Sequence, residues 1–168
     1  MKFETLYCYD YSDNITQTIN TIVLFNGEKA VSASNIKLEG EVRTPKGRKQ
    51  SLQTPRPLTL DEIPRVQTEF VDAARRAIKA GFDGVEIHCA NGYLVNQFIS
   101  EHTNKRTDEY GGDLVARTRF AVEIVRAIRA RVGEDFPIIF RFSQWKQQDY
   151  EARLAETPEE LERFLTLF

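Results

Sequence analysis

From residue 59 onward the apolar positions fall into two alternating periods. Ile63, Val66, Phe70, Ala73, Ala74, Ala77 and Ile78 recur at helical spacing, and Gly81 stops the run as a C-terminal glycine does. This predicts a helix over roughly 60–80. Thr59 and Glu62 have the spacing of a capping box, whereas Pro64 sits more comfortably in the first turn if Asp61 is the cap; both starts stay open. Gly84-Val85-Glu86-Ile87-His88 follows as a short strand. A second helix reads from about Leu114 to Val132 on Ala121, Ile124, Val125, Ile128 and Val132, with Gly133 after it. Pro137 to Phe142 reads as a second strand. Thr157-Pro158-Glu159-Glu160 then opens a third helix, with proline in the first turn and Leu161, Phe164, Leu165 and Phe168 beginning its apolar face.

Helix, strand, helix, strand, helix is the order of an α/β protein with a parallel sheet and crossover helices. The chain before residue 59 is less regular. Residues 1–28 stay unassigned, with a possible strand over Thr18 to Phe25 running into the turn Asn26-Gly27. Residues 39–58, rich in proline and charge, read as loop. Its basic cluster of Arg43, Lys46, Arg48 and Lys49 reads as a solvated face, with phosphate contact as the alternative.

Composition removes several classes of function. The net charge of the 168 residues is −2, so no global basic field points to nucleic acid or to an anionic membrane. No apolar run approaches the ~18 residues that span a bilayer, and the N-terminus lacks the basic and apolar regions of a signal peptide. The expectation is a cytoplasmic protein. Two cysteines, Cys8 and Cys89, make no disulfide framework. With two histidines and no paired-cysteine spacing, no metal site is expected.

One of those histidines, His88, ends the first strand, and Asn91 and Tyr93 follow it. Function in βα folds gathers at the carboxyl ends of strands, and Arg141 stands at the end of the second strand. Singly, His88 reads as a satisfied structural imidazole, Asn91 as a turn residue and Tyr93 as a core aromatic. Together they form a row of hydrogen-bond donors on one short loop. Neighbouring neutral donors suit a carbonyl oxygen that gains negative charge during reaction, and a tyrosine hydroxyl suits proton delivery.

The residues HCANGYLVNQF, from His88 to Phe98, and TNKRTDEYGGDLVARTRF, from Thr103 to Phe120, resemble the central signature of the old yellow enzyme family. These are flavin-dependent ene-reductases and NADH:flavin oxidoreductases. Weaker similarity runs back through PRPLTLDEI to about AVSASNI and forward through IIFRFSQWKQQDY, so it covers roughly residues 30–168. The resemblance implies an FMN-binding βα barrel in which NADH or NADPH reduces the flavin and hydride passes to an activated alkene. It implies that His88 and Asn91 bind the substrate carbonyl oxygen, that Tyr93 protonates the α-carbon, and that Arg141 lies by the flavin. Arg106, Asp108, Tyr110, Arg117 and Arg119 are expected to brace the long loop by ion pairs and caps, and Gly111-Gly112 to permit a turn. Cys89 is expected to be no nucleophile, and His102 an exposed loop residue.

A barrel of this type runs ~250 residues, and this sequence holds two convincing βα units. No flavin-contacting stretch or histidine-glycine-arginine motif of the family's early strands is found before residue 30. The expectation is therefore a partial (β/α)8 TIM-type barrel over residues 29–168, completed by self-association or by a partner chain and acting on a small enone-type substrate. The competing expectation is a noncatalytic remnant or interaction module of the same fold.

Overall fold

The computed structural model describes residues 3–6, 30–37, 41–43, 49–51, 54–145 and 151–168. Strands β1 (Phe3–Leu6), β6 (Gly84–Cys89) and β7 (Ile138–Phe142) form one sheet in the order β1-β6-β7, all parallel. Val85 pairs with Ile138, Ile87 with Phe140, and His88 with Arg141. The long helix between β6 and β7, α3 (Leu114–Val132), makes the crossover that the alternating periods predict.

The helices cover one face of this sheet. Phe70, Ala74 and Ala77 of α1 (Ile63–Lys79) and Phe120, Ile124 and Ile128 of α3 form a buried cluster with Val85, Ile87 and Cys89 of β6. Side chains alternate across a strand, and in-register neighbours share a face. Ile138, Phe140 and Phe142 therefore pack on the helix side, as their contact with the same cluster confirms. Glu86, His88, Ile139 and Arg141 are thrown to the other side. The last helix, α4 (Pro158–Leu165), adds Phe164 to the core, with its ring 5.2 Å from that of Phe142.

Helix ends follow the sequence signals with one change. α1 ends in a Schellman turn: Gly81 N donates to Ile78 O at 2.9 Å, Phe82 N to Ala77 O at 3.1 Å, and Gly81 has φ +80°. At its start neither Thr59 nor Asp61 is the cap. Glu62 takes that position, and its carboxylate accepts from Thr59 N at 2.9 Å while holding Arg56 at 2.6 and 2.7 Å. Half of the capping box forms, because Glu62 reaches back but is shared with Arg56. α4 has the expected cap, Thr157 Oγ1 accepting from Glu160 N at 3.2 Å.

Two corrections concern the irregular stretches. Residues 39–58 are not all loop: β3 (Glu41–Arg43) and β4 (Lys49–Ser51) form an antiparallel pair, and β5 (Arg56–Pro57) runs parallel to β2 (Val31–Ser32). Pro57 is tolerated because Arg56 N and Leu58 N make the ladder bonds, to Ala30 O and Ser32 O. Lys49 of the basic cluster pairs with Glu41 at 2.9 Å; Lys46, Arg48 and the Arg43 side chain lie outside what is described. The short helix α2 (Leu94–Ile99) was not expected, since all six of its residues are buried and it has no amphipathic period. The strand expected over Thr18 to Phe25 lies outside the described residues, while β1 forms within the unassigned segment.

Candidate functional site

β6 delivers His88 to its carboxyl end, 4% exposed, on the face away from the helices. Arg141, its register partner on β7, shares that face, and its side chain is 60% exposed. Glu86, one turn of the pleat before His88, places Oε1 3.9 Å from His88 Nδ1 and 3.6 Å from an Arg141 guanidinium nitrogen. One carboxylate oxygen thus stands between the imidazole and the guanidinium. Burial holds the His88 pKa below its ordinary value, the Glu86 charge opposes this, and the Arg141 charge adds to it.

The loop after β6 turns sharply. Asn91 has φ +54° and Gly92 φ +78°, left-handed conformations that asparagine and glycine tolerate best. Two side chains from α2 hold this turn. Asn96 Oδ1 accepts from Gly92 N at 3.2 Å and its Nδ2 donates to Cys89 O at 3.3 Å, while Gln97 Nε2 donates to Gly92 O at 2.7 Å. Asn91 N donates to Ser143 Oγ at 3.2 Å, which ties the turn to the end of β7. The turn brings the Tyr93 ring edge-on to His88, with centroids 4.6 Å apart.

The structure thus brings His88, Tyr93 and Arg141 to one end and one side of the sheet. Asn91 is in the same turn, fixed by its backbone, with its side chain exposed. Glu86, Asn96, Gln97 and Ser143 were missed by sequence reasoning. Glu86 had a signal: it is a carboxylate at a strand position in phase with His88.

The neighbouring loop is braced as expected. Arg106 pairs with Asp108 through two hydrogen bonds at 3.0 and 2.6 Å and donates to Ala33 O and Leu58 O. The Arg106 guanidinium holds the Asp108 carboxyl below its usual range. Tyr110 donates to Glu123 at 2.8 Å, and burial together with that carboxylate pushes its hydroxyl up to about 12. Arg117 donates to Ile99 O at 2.9 Å. Arg119 and His102 are exposed, and Cys89 is buried in the core.

The model of the NADH:flavin oxidoreductase / NADH oxidase family matches residues 22–166. An NADH oxidase of Thermoanaerobacter brockii is 56% identical over 89 residues, which are 53% of this chain and 14% of that protein. A putative 12-oxophytodienoate reductase 5 of Oryza sativa subsp. japonica is 50% identical over 108 residues, 64% of this chain and 28% of that one. The solved structure of an old yellow enzyme homologue from Zymomonas mobilis superimposes with a TM-score of 0.73 at 36% identity, over 84% of this chain and 39% of that one. The chain spans less than a third of the length of these curated relatives. Its parallel strands and crossover helices are those of part of a (β/α)8 barrel. No described helix is long and apolar enough to cross a membrane.

Proposed function

Because the chain belongs to the NADH:flavin oxidoreductase / NADH oxidase family, we propose that it supplies the substrate-binding part of an FMN-dependent oxidoreductase acting on activated alkenes. The observation that carries this reading is the pairing of His88 with Arg141 across two adjacent parallel strand ends, on the face turned away from the helices. Part of a (β/α)8 barrel with its helices outside turns that face toward the interior, where ligands of βα barrels bind.

The donor set fits a flavin and an enone. Arg141 has an exposed, permanently charged guanidinium that would hold the flavin. FMN, when bound, supplies the hydride that NADH or NADPH provides. His88 and Asn91 receive the carbonyl oxygen of the substrate and stabilise the negative charge that grows on it. Tyr93 holds the proton destined for the α-carbon at its hydroxyl, and its ring against His88 limits where that hydroxyl travels. The α2 side chains Asn96 and Gln97 hold the turn that presents Asn91 and Tyr93. The reading takes a small enone as ligand and the cytoplasm as location.

A chimaera tests it. Residues 30–168 replace the matching segment of the Zymomonas mobilis homologue, and the two half-reactions, flavin reduction by NADH and reoxidation by an enone, are followed by flavin absorbance. We expect both to proceed. A chimaera that folds and holds FMN yet is never reoxidised by any enone favours the noncatalytic alternative instead.

A further inference from the structure

The Glu86 carboxylate is not used in the reading above, yet it is the group that His88 and Arg141 have in common. Its Oε1 lies 3.9 Å from His88 Nδ1 and 3.6 Å from the Arg141 guanidinium, and its side chain is 20% exposed. The register fixes this: Glu86 and His88 are two apart on one strand, and Arg141 is directly across from His88. A neutral imidazole carries its proton on one nitrogen only. With Nδ1 facing a carboxylate, the tautomer with a bare Nδ1 sets lone pair against negative charge, and the tautomer protonated there does not.

We propose that Glu86 is a positioning residue that keeps a proton on His88 Nδ1, so that Nε2 becomes a donor to a ligand oxygen only as the ring takes up a second proton. The proposal rests on the functional reading for its purpose, since it says how His88 meets a negatively charged oxygen. Arg141 sets the balance. It draws on the same carboxylate oxygen, so Glu86 supports the doubly protonated ring while Arg141 opposes it. Burial of His88 resists that ring as well, and among the described residues Glu86 is the carboxylate that favours it. Among the described residues the charged or titratable groups facing His88 are Glu86 on its own strand, Arg141 on β7, and Tyr93 from the turn.

The chain has two histidines, and His102 is exposed, so His88 can be followed singly. The 168-residue chain, labelled with ¹⁵N-histidine, is titrated by long-range ¹H–¹⁵N correlation, which reports tautomer and protonation at each ring nitrogen. We expect His88 to hold its neutral proton on Nδ1. Glu86→Gln should move its midpoint down and mix the tautomers, and Arg141→Gln should move it up. His102 should not move in either variant. The idea is overturned if the neutral ring carries its proton on Nε2, or if Glu86→Gln leaves midpoint and tautomer unchanged. Should Glu86→Gln not fold, exposed Arg141 still decides: an unmoved or lowered midpoint in Arg141→Gln overturns the idea. No flavin enters this measurement, so its failure is distinct from failure of the chimaera.

Discussion

Glu62 gathers Arg56, Thr59 N and Thr59 Oγ1 onto one carboxylate, and these contacts, Arg56 first, pull its pKa from 4.5 to about 2. A folded pKa below the unfolded one means stability that is complete above 4.5 and is lost as pH falls toward about 2. Glu62→Gln should therefore cost about 1 kcal/mol near neutrality, a modest figure because solvent screens Arg56. In urea melts the gap from wild type should close as pH drops through that window; a gap independent of pH would mean that the carboxylate charge is not what binds Arg56. Gly111 is constrained differently. A Cβ there would meet the Arg106 carbonyl oxygen at 2.0 Å, a backbone atom that cannot step aside. Gly111→Ala should lower stability by about 2 kcal/mol or more, read as a fall in the urea midpoint at unchanged slope. At the proposed site, His88→Ala in the chimaera should slow reoxidation by an enone ~10²–10³-fold while sparing reduction by NADH. Equal losses in both half-reactions would assign His88 to the fold alone. The placement of His88, Asn91, Tyr93 and Arg141 at or after two strand ends was legible because strand ends are legible. Their supports Asn96, Gln97 and Ser143 were not, because a side chain that bonds a turn's backbone leaves no periodic mark.

Among elements, those with one buried side announce themselves. α1 and α3 carry apolar stripes at helical spacing, and both were readable to within a few residues. α2 is six residues, buried all round, and β2 and β5 are two residues each; none has room for a period. The β3–β4 pair sits where proline, glycine and charge argue for loop, and it is their antiparallel register with each other that gives them strand character. The start of α3 was visible as a glycine pair, but the cap itself is Asp113, whose Oδ1 accepts from Ala116 N at 2.9 Å. Asp113→Ala should cost about 1 kcal/mol of stability. Asp113→Ser should recover most of it, since a hydroxyl can accept the same N–H. If thermal melts find alanine and serine alike, the first turn of α3 is held by its packing and by Arg117 rather than by its cap.

The described sheet has three strands, with β6 in the middle, and the outer edge of β7 meets no further strand among the described residues. The side of the sheet away from the helices bears Glu86, His88, Ile139 and Arg141, and on it Ile139 is 41% exposed. An apolar strand residue open to solvent, beside a guanidinium that is itself mostly exposed, is a poor outer surface but a normal barrel lining. Among the described residues the outer edge of β7 has no strand partner, so its N–H and C=O groups offer a template for another strand. Both features point the same way: this face is built to be enclosed. Arg141 and the donors of the turn are the described groups on this face that would hold a flavin. Most of a ligand's surface is buried in a competent site, so these contacts should give little affinity by themselves. Isothermal titration of the 168-residue chain with FMN should accordingly give no saturable heat in the micromolar range. Light scattering should find the chain associating through its open sheet, more strongly as concentration rises. Replacing Ile139 by lysine puts a charge on that face and should weaken the association without touching the helix-side core. Tight stoichiometric uptake of FMN by a monomer would be the opposite result. It would mean that this chain by itself suffices to hold the cofactor.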